Sequence, residues 1–165
     1  MPLSPNDLSF LRRTRLFEGF TLTEMGRFSP YIETRDYDMG QVVIWEGSRD
    51  RALYVLGSGS AVVTKVIRGD VESVLARLAS GDHFGELSLI DGRAAAGSVS
   101  AESPCRVYSI DYDRLQQMVG DESPLFAKLT WRLLSDLAAK LRATNRKVQE
   151  AVEWGLDAAS VDPND

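Results

Sequence analysis

The residues best suited to chemistry lie between Gly81 and Arg93, in the run Gly-Asp-His-Phe-Gly-Glu-Leu-Ser-Leu-Ile-Asp-Gly-Arg. Gly85 can let the backbone come close to a ligand, and a short helix beginning at Glu86 points unpaired backbone N–H groups outward. A helix start of this kind binds anions. Glu86, in the first turn, gains from the helix dipole and offers a carboxylate that accepts hydrogen bonds from sugar hydroxyls. The pattern indicates a site for a phosphorylated sugar.

The same residues also have a simpler interpretation. Glu86 is then only an acidic residue in the first turn of a helix, and Gly85 is only a turn residue. Spacing alone does not choose between the two interpretations.

The chain offers little for catalysis, since it has one histidine, His83, and one cysteine, Cys105. Zinc sites draw on several Cys or His ligands, and a nucleophile needs a base beside it. We therefore expect no metal, no catalytic residue and no enzyme activity. A lone cysteine closes no intramolecular disulfide, and residues 1–15 do not resemble a signal peptide, which predicts a cytoplasmic protein.

The length and net charge of the chain indicate which kinds of binding partner are disfavoured on physical grounds. The 165 residues are 44% hydrophobic and 26% charged, as expected for one globular domain. Lys plus Arg number 19 and Asp plus Glu number 24, so the net charge of −5 disfavours binding to nucleic acid. The sequence has no run of about 18 apolar residues, so a membrane-spanning helix is not expected.

Apolar spacing predicts helices at both ends and strands between them. Thr21 and Glu24 form a capping box at the start of a short helix. Short β-prone runs separated by Gly, Asp and Ser then occur at 42–45, 53–56, 61–63, 98–101 and 106–110. The segments 63–67 and 71–75 flank Arg68-Gly69-Asp70 and are predicted to pair as a hairpin. Their spacing is typical of a β-sandwich or barrel.

A longer helix is predicted from near Pro124 to about Trp154. Its apolar positions alternate in steps of 3 and 4, the pattern of a helix that packs on another helix: Leu134, Leu137, Leu141, Thr144, Val148 and Ala151. The partner is either a second copy of the chain or this chain's own β core. Residues 1–154 are predicted to form one domain that includes this helix, and 155–165 a disordered acidic tail.

Six segments, standing in order, make the chain similar to the cyclic nucleotide-binding domain family. The resemblance covers about Leu16 to Ala151. The matching segments are Gly40-Gln41-Val42-Val43, Glu46-Gly47, Leu53-Tyr54-Val55-Leu56, Ser58-Gly59-Ser60, Gly81 through Leu89, and Ser98-Val99-Ser100-Ala101.

The resemblance implies a mainly β fold, an eight-stranded jelly roll flanked by helices and followed by a long C-terminal helix. It also implies a phosphate-binding cassette that begins at Phe84. In the family, the cassette glycine and the following N–H groups hold the cyclic phosphate, and the glutamate holds the ribose 2′-hydroxyl. The residues at those positions here are Gly85, Glu86, Leu87 and Ser88.

The long helix resembles the dimer helix of the catabolite activator family. In that family a threonine and the next residue reach the purine ring, and Thr144 and Asn145 stand at the matching positions. The resemblance thus implies a homodimer formed through this helix. The chain ends soon after it, so the winged helix-turn-helix of that family is not expected.

The sequence departs from the family where the phosphate is held. Ala95 replaces the arginine that neutralises the cyclic phosphate, and Ala96 replaces the hydroxyl residue that helps to select guanine. The second change favours cyclic AMP over cyclic GMP. Arg93 is the candidate for a substitute positive charge; the alternative is a solvated loop residue.

The function predicted from these features is a non-enzymatic regulatory module, dimeric, whose affinity for cyclic nucleotides is lowered by Ala95. No bound cofactor is required, and the expected ligand is a cyclic nucleotide. The alternative is a protein-interaction scaffold of the same fold that needs no ligand.

Overall fold

The computed structural model describes residues 3–69 and 71–160, with side chains described as far as residue 155 in the last helix. The chain divides into two compact units, Met1–Leu129 and Thr130–Asp165. The strands are β1 Glu33–Tyr37, β2 Val42–Ile44, β3 Ala52–Ser58, β4 Ser60–Arg68, β5 Val71–Ala79, β6 His83–Phe84, β7 Ser98–Ala101 and β8 Cys105–Asp111. The α-helices are α1 Pro5–Arg13, α2 Leu22–Phe28, α3 Glu86–Asp91, α4 Tyr112–Asp121 and α5 Ser123–Ser160.

The strands of the first unit form two antiparallel four-stranded sheets. Their orders are β1-β8-β3-β6 and β2-β7-β4-β5. Alternate residues of both sheets meet in one buried core, made of Leu56, Ala61, Phe84, Val99, Ala101, Cys105 and Val107. The predicted fold class, a mainly β jelly roll of eight strands with flanking helices, is confirmed.

Local signals explain several elements. Thr21 accepts a hydrogen bond from the backbone N–H of Glu24, and the Glu24 carboxylate accepts one from the N–H of Thr21, so the predicted capping box begins α2. The predicted hairpin is also present, with β4 paired to β5 and Arg68 opposite Val71.

Strands β1 and β6 were not predicted. Strand β1 has an almost fully exposed surface and a charged sequence, Glu-Thr-Arg-Asp-Tyr, so it lacks the apolar alternation that marks a strand. It is held by its pairing with β8, from Glu33 opposite Ser109 to Tyr37 opposite Cys105. Strand β6 has two residues, too few for any periodicity.

Helix α5 continues to Ser160, so the predicted end at about residue 154 was too early. Residues 161–165 of the predicted acidic tail lie outside the described residues, and a single domain over residues 1–154 stays a prediction. None of the helices in the described part of the chain is long and apolar enough to cross a membrane.

Candidate ligand-binding site

Gly85 fixes the start of α3. Its φ of 82° lies in the left-handed region that favours glycine. A Cβ built on it would lie 2.5 Å from the carbonyl oxygen of Ala52 and 2.8 Å from a ring carbon of Tyr54. Only a residue without a side chain lets the backbone approach β3 this closely. Glycine is therefore required at this position for two reasons: the backbone is in the left-handed conformation, and there is no room for a Cβ atom.

An aromatic pair supports Gly85. The rings of Tyr54 and Phe84 stack with centroids 5.2 Å apart and planes 11° from parallel. Phe84 is 6% exposed, and burial raises the pKa of the Tyr54 phenol above its ordinary value. The phenol therefore stays neutral at physiological pH. The pair forms a rigid apolar support beneath the first turn of α3.

The first turn of α3 contains the residues predicted to form the cassette. Its first helical hydrogen bond runs from the N–H of Leu89 to the carbonyl of Gly85. The N–H groups of Glu86, Leu87 and Ser88 consequently have no acceptor within the helix. The Glu86 side chain is buried, with 6% exposed, whereas Leu87 is 60% exposed. The structure thus brings all four predicted cassette residues into one turn.

Two backbone hydrogen bonds fix the segment that contains Ala95. The N–H of Gly47 donates to the carbonyl of Ala95 at 2.9 Å, and the N–H of Ala95 donates to the carbonyl of Ser48 at 2.8 Å. Ala95 is 9% exposed, whereas Ala96 is exposed. The Ser48 hydroxyl is buried and has no hydrogen-bond partner among the described residues. Position 95 is therefore held by backbone contacts that do not use its side chain.

The segment continues into β7 through a second close approach. A Cβ on Gly97 would lie 2.5 Å from the carbonyl oxygen of Thr64, in β4. Beside it, the backbone N–H of Glu46 donates to the Ser98 hydroxyl at 2.9 Å. The Glu46 carboxylate accepts from the N–H of Val66, also at 2.9 Å. Glu46 thus joins β7 to the β4–β5 hairpin, a role the sequence did not indicate.

Arg93 is not brought into this group. Its side chain is 87% exposed, and its nearest acidic partner is Asp91, 3.9 Å from Nε. The backbone N–H of Arg93 also donates to the Asp91 carboxylate. A role for Arg93 in holding phosphate stays a prediction.

Thr144 and Asn145 lie on α5 in the second unit, and both are exposed. The Thr144 hydroxyl donates to the carbonyl of Lys140 one turn earlier, at 3.0 Å. Their predicted contact with a purine ring stays a prediction.

Arg51 is the residue that sequence reasoning missed altogether. Its Nη2 donates to the carbonyl of Leu89 in α3 at 2.7 Å, and its guanidinium lies 3.7 Å from the ring centre of Tyr112, the first residue of α4. The backbone N–H of Tyr112 in turn donates to the carbonyl of Arg51. One side chain thus joins α3 to α4. These contacts span 38 residues or more, so no local pattern could reveal them.

The donor groups needed for metal chemistry are not clustered. Within residues 3–69 and 71–160 no group of three or more His, Cys, Asp or Glu side chains could hold a metal ion. The groups described above are backbone N–H groups, a buried carboxylate and closely packed backbone.

Replacing Gly85 by alanine should destabilise the protein more than the same change at Gly40. The φ of Gly40 is 85°, but no atom of the described residues comes within 4 Å of a Cβ there. Both variants bear the strain of left-handed backbone, about 1–2 kcal/mol. Gly85→Ala must also displace Ala52, at a further cost of about 1–3 kcal/mol in the free energy of unfolding. Chemical denaturation measures both; equal losses would contradict the close approach.

A family model described as "Cyclic nucleotide-binding domain" matches residues 34–122, more than half of the chain. The match includes all of α3 and the segment that follows it.

Two relatives of this chain have names that refer to cyclic AMP, which is consistent with the family match. The chain is 36% identical to a cAMP-dependent protein kinase regulatory subunit of Mycosarcoma maydis over 92 residues, which are 56% of this chain and 17% of that protein. It is 26% identical to a CRP-like cAMP-activated global transcriptional regulator of Mycobacterium tuberculosis over 142 residues, 86% of this chain and 62% of the regulator. The chain thus spans less than two thirds of each relative.

A solved structure shows the same fold. The crystal structure of a cyclic nucleotide-binding domain from Methylobacillus flagellatus superposes with a TM-score of 0.77 at 24% identity, and covers 88% of this chain and 82% of that one. The resemblance found in the sequence is therefore confirmed, and the chain belongs to the cyclic nucleotide-binding domain family.

Proposed function

We propose that this chain is a non-enzymatic regulatory module that binds a cyclic nucleotide at the start of α3. The observation that carries the proposal is the first turn of α3, where the N–H groups of Leu87 and Ser88 have no acceptor within the helix and lie in the same turn as the buried Glu86. The positive end of a helix and backbone N–H groups that have no acceptor within the helix suit a phosphate. A carboxylate suits sugar hydroxyls.

Each cassette residue has a proposed role. The backbone N–H groups of Leu87 and Ser88 donate to the oxygens of the cyclic phosphate, and the Glu86 carboxylate accepts a hydrogen bond from the ribose 2′-hydroxyl. Gly85 contributes by its small size, because a side chain there would push the turn away from β3. The roles follow the family's cassette, and the geometry of α3 supports them.

Ala95 lowers the affinity in this proposal. A hydrogen bond to a charged group is worth about 1.5–3 kcal/mol, so its loss weakens binding by about 10- to 150-fold. The phosphate is then held by backbone groups, with the Glu86 carboxylate nearby. We therefore infer weaker binding than in relatives that keep the arginine.

The preferred ligand in this proposal is cyclic AMP. Ala96 has no hydroxyl to bind guanine, and two relatives carry cAMP in their names. Thr144 and Asn145 remain the candidate contacts for the purine.

We further propose that the module is a homodimer paired through α5. Apolar side chains are exposed along this helix, among them Leu134, Leu141 and Val148. Pairing with a second copy would bury them.

In this proposal Arg51 transmits a ligand-induced movement of α3 to α4. Binding at the first turn of α3 shifts that helix, and the Arg51 guanidinium, bonded to Leu89 and stacked on Tyr112, carries the shift to α4. Helix α4 leads directly into α5. The ligand acts by favouring one of two arrangements of these helices.

A ligand-independent interaction scaffold is the second candidate function, and two observations favour it. The phosphate arginine is replaced by Ala95. On α3 itself, Leu87 and Ile90 are 60% and 53% exposed, an apolar surface that a protein partner could cover.

Restoring the arginine should strengthen binding. Ala95→Arg adds a charge-assisted hydrogen bond to the phosphate, so the Kd for cyclic AMP should fall by about 10- to 150-fold in isothermal titration calorimetry. Ala94→Arg is the matched control, since it adds the same charge at an exposed neighbour, and should change the Kd little. If cyclic AMP and cyclic GMP leave the Tm of both parent and Ala95→Arg unmoved, the sensor proposal fails and the scaffold is favoured.

Arg93→Ala decides whether Arg93 supplies the missing charge. Because its guanidinium faces solvent and its nearest acid is Asp91, we expect the Kd for cyclic AMP to change by less than about twofold. The same titration measures it. A loss of tenfold or more would instead assign Arg93 to the phosphate.

Arg51→Met should loosen α3 without disturbing the sheets. The variant keeps an apolar stem but loses the bond to Leu89 and the stacking on Tyr112, so amide exchange in α3 should speed up by about tenfold. Arg49→Met, at an exposed neighbouring position, is the control and should leave exchange unchanged. Any change that cyclic AMP produces in the exchange of α4 should be smaller in Arg51→Met. A response of α4 equal to that of the parent would contradict the route.

A further inference from the structure

The loop 45–51, between β2 and β3, ends on a cation whose described partners are neutral. The Arg51 guanidinium donates from Nη2 to the carbonyl of Leu89 and stacks on the ring of Tyr112, and the residue is half-buried. None of the ion pairs in the described part of the chain includes Arg51. A charge withdrawn from water is usually paired with an opposite charge, because neutral groups compensate only part of the lost hydration.

One donor of this guanidinium has no acceptor. The Nε atom of Arg51 is buried and makes no hydrogen bond to any described residue. A buried donor without a partner is costly, and more so when it belongs to a charged group. Since such donors are nearly always satisfied in native structures, the orphaned Nε indicates that an acceptor comes from outside the chain.

The guanidinium lies against the segment that carries alanine where the family has arginine. A Cβ built on Gly92 would lie 3.6 Å from the Cζ atom of Arg51. Gly92 comes three residues before Ala95. Ser48, three residues before Arg51, accepts the hydrogen bond from the backbone N–H of Ala95. The loop before β3 and the segment after α3 thus contact each other at two points, one of which is the guanidinium.

Two other arginines lie in the same loop and segment, and both face solvent. Arg49 is exposed, and Arg93 is 87% exposed with Asp91 as its nearest acid. A fully hydrated charge is screened by water and salt, so its attraction for an anion is weak. Of these three arginines, Arg51 is the half-buried one, where the lower local dielectric strengthens the attraction.

We propose that Arg51 binds the phosphate of the cyclic nucleotide in place of the arginine that is absent from position 95. The inference rests on the ligand proposed above and identifies the residue that neutralises its charge. The Nε–H donates to a phosphate oxygen, a charge-assisted hydrogen bond. Because Leu89 and Tyr112 already hold the guanidinium, little side-chain freedom is lost when the ligand binds.

Moving the charge changes which elements the phosphate contacts. An arginine at position 95 belongs to the segment after α3, whereas Arg51 belongs to the loop before β3 and is bonded to α3 and stacked on α4. One side chain then holds the ligand and also contacts both helices. Its charge offsets part of the affinity lost with the family's arginine.

Arg51→Gln tests the contact. The change removes the charge and keeps a side-chain amide, so the Kd for cyclic AMP should rise by about tenfold or more in isothermal titration calorimetry. Arg49→Gln is the matched control, because it removes the same charge at an exposed position two residues away, and should change the Kd by less than about twofold. Equal effects of the two variants would overturn the inference.

A double-mutant cycle with Ala95→Arg separates a phosphate contact from a purely structural role of Arg51. Two arginines that serve one phosphate substitute for each other. Ala95→Arg should therefore lower the Kd by about tenfold in the parent and by at least about tenfold more in the Arg51→Gln background. If Arg51 acted only by holding α3 and α4, the gain from Ala95→Arg would be the same in both backgrounds, and that result would refute the contact.

The outcomes distinguish this inference from the proposed function. If neither the parent nor Ala95→Arg binds a cyclic nucleotide, both fail. If Ala95→Arg binds and the parent does not, the site is real and only the role of Arg51 is refuted. A crystal structure with cyclic AMP gives the direct check, since Nε of Arg51 should lie about 2.7–3.2 Å from a phosphate oxygen. A phosphate beyond the reach of this atom contradicts the inference.

Discussion

The site depends on one close contact, the approach of the Gly85 backbone to the carbonyl of Ala52. Because glycine has no side chain, α3 begins directly against β3, with Tyr54 and Phe84 stacked beneath it. This contact fixes the direction of the first turn of α3. In that turn the Glu86 side chain is buried, and the N–H groups of Leu87 and Ser88 have no acceptor within the helix. The position of these groups thus arises from backbone placement against β3, which requires a glycine at position 85.

The segment that contains Ala95 is also held by the backbone, without a contribution from the side chain of that residue. Position 95 is held by two main-chain hydrogen bonds, with Gly47 and Ser48, and Gly97 packs against the Thr64 carbonyl. None of these contacts uses the side chain of residue 95. Fold and charge are therefore separable in this segment: its main-chain contacts require no particular side chain at position 95, whereas the proposed affinity for a phosphate depends on that side chain.

The sequence predicted elements whose signals are local. The capping box at Thr21, the turn at Gly69 and the helix after Gly85 depend on residues within one turn of each other, and all three are present. Strand β1 was missed because its stability comes from pairing with β8, about 70 residues away, and not from its own composition. Arg51 was missed for the same reason.

All three tryptophans lie near the surface: Trp45, Trp131 and Trp154 are 66%, 71% and 75% exposed. Their indole rings already sit in an aqueous environment in the isolated chain, so complete denaturation would shift the intrinsic fluorescence spectrum only slightly. The native emission spectrum of this protein is consequently a poor measure of its folding.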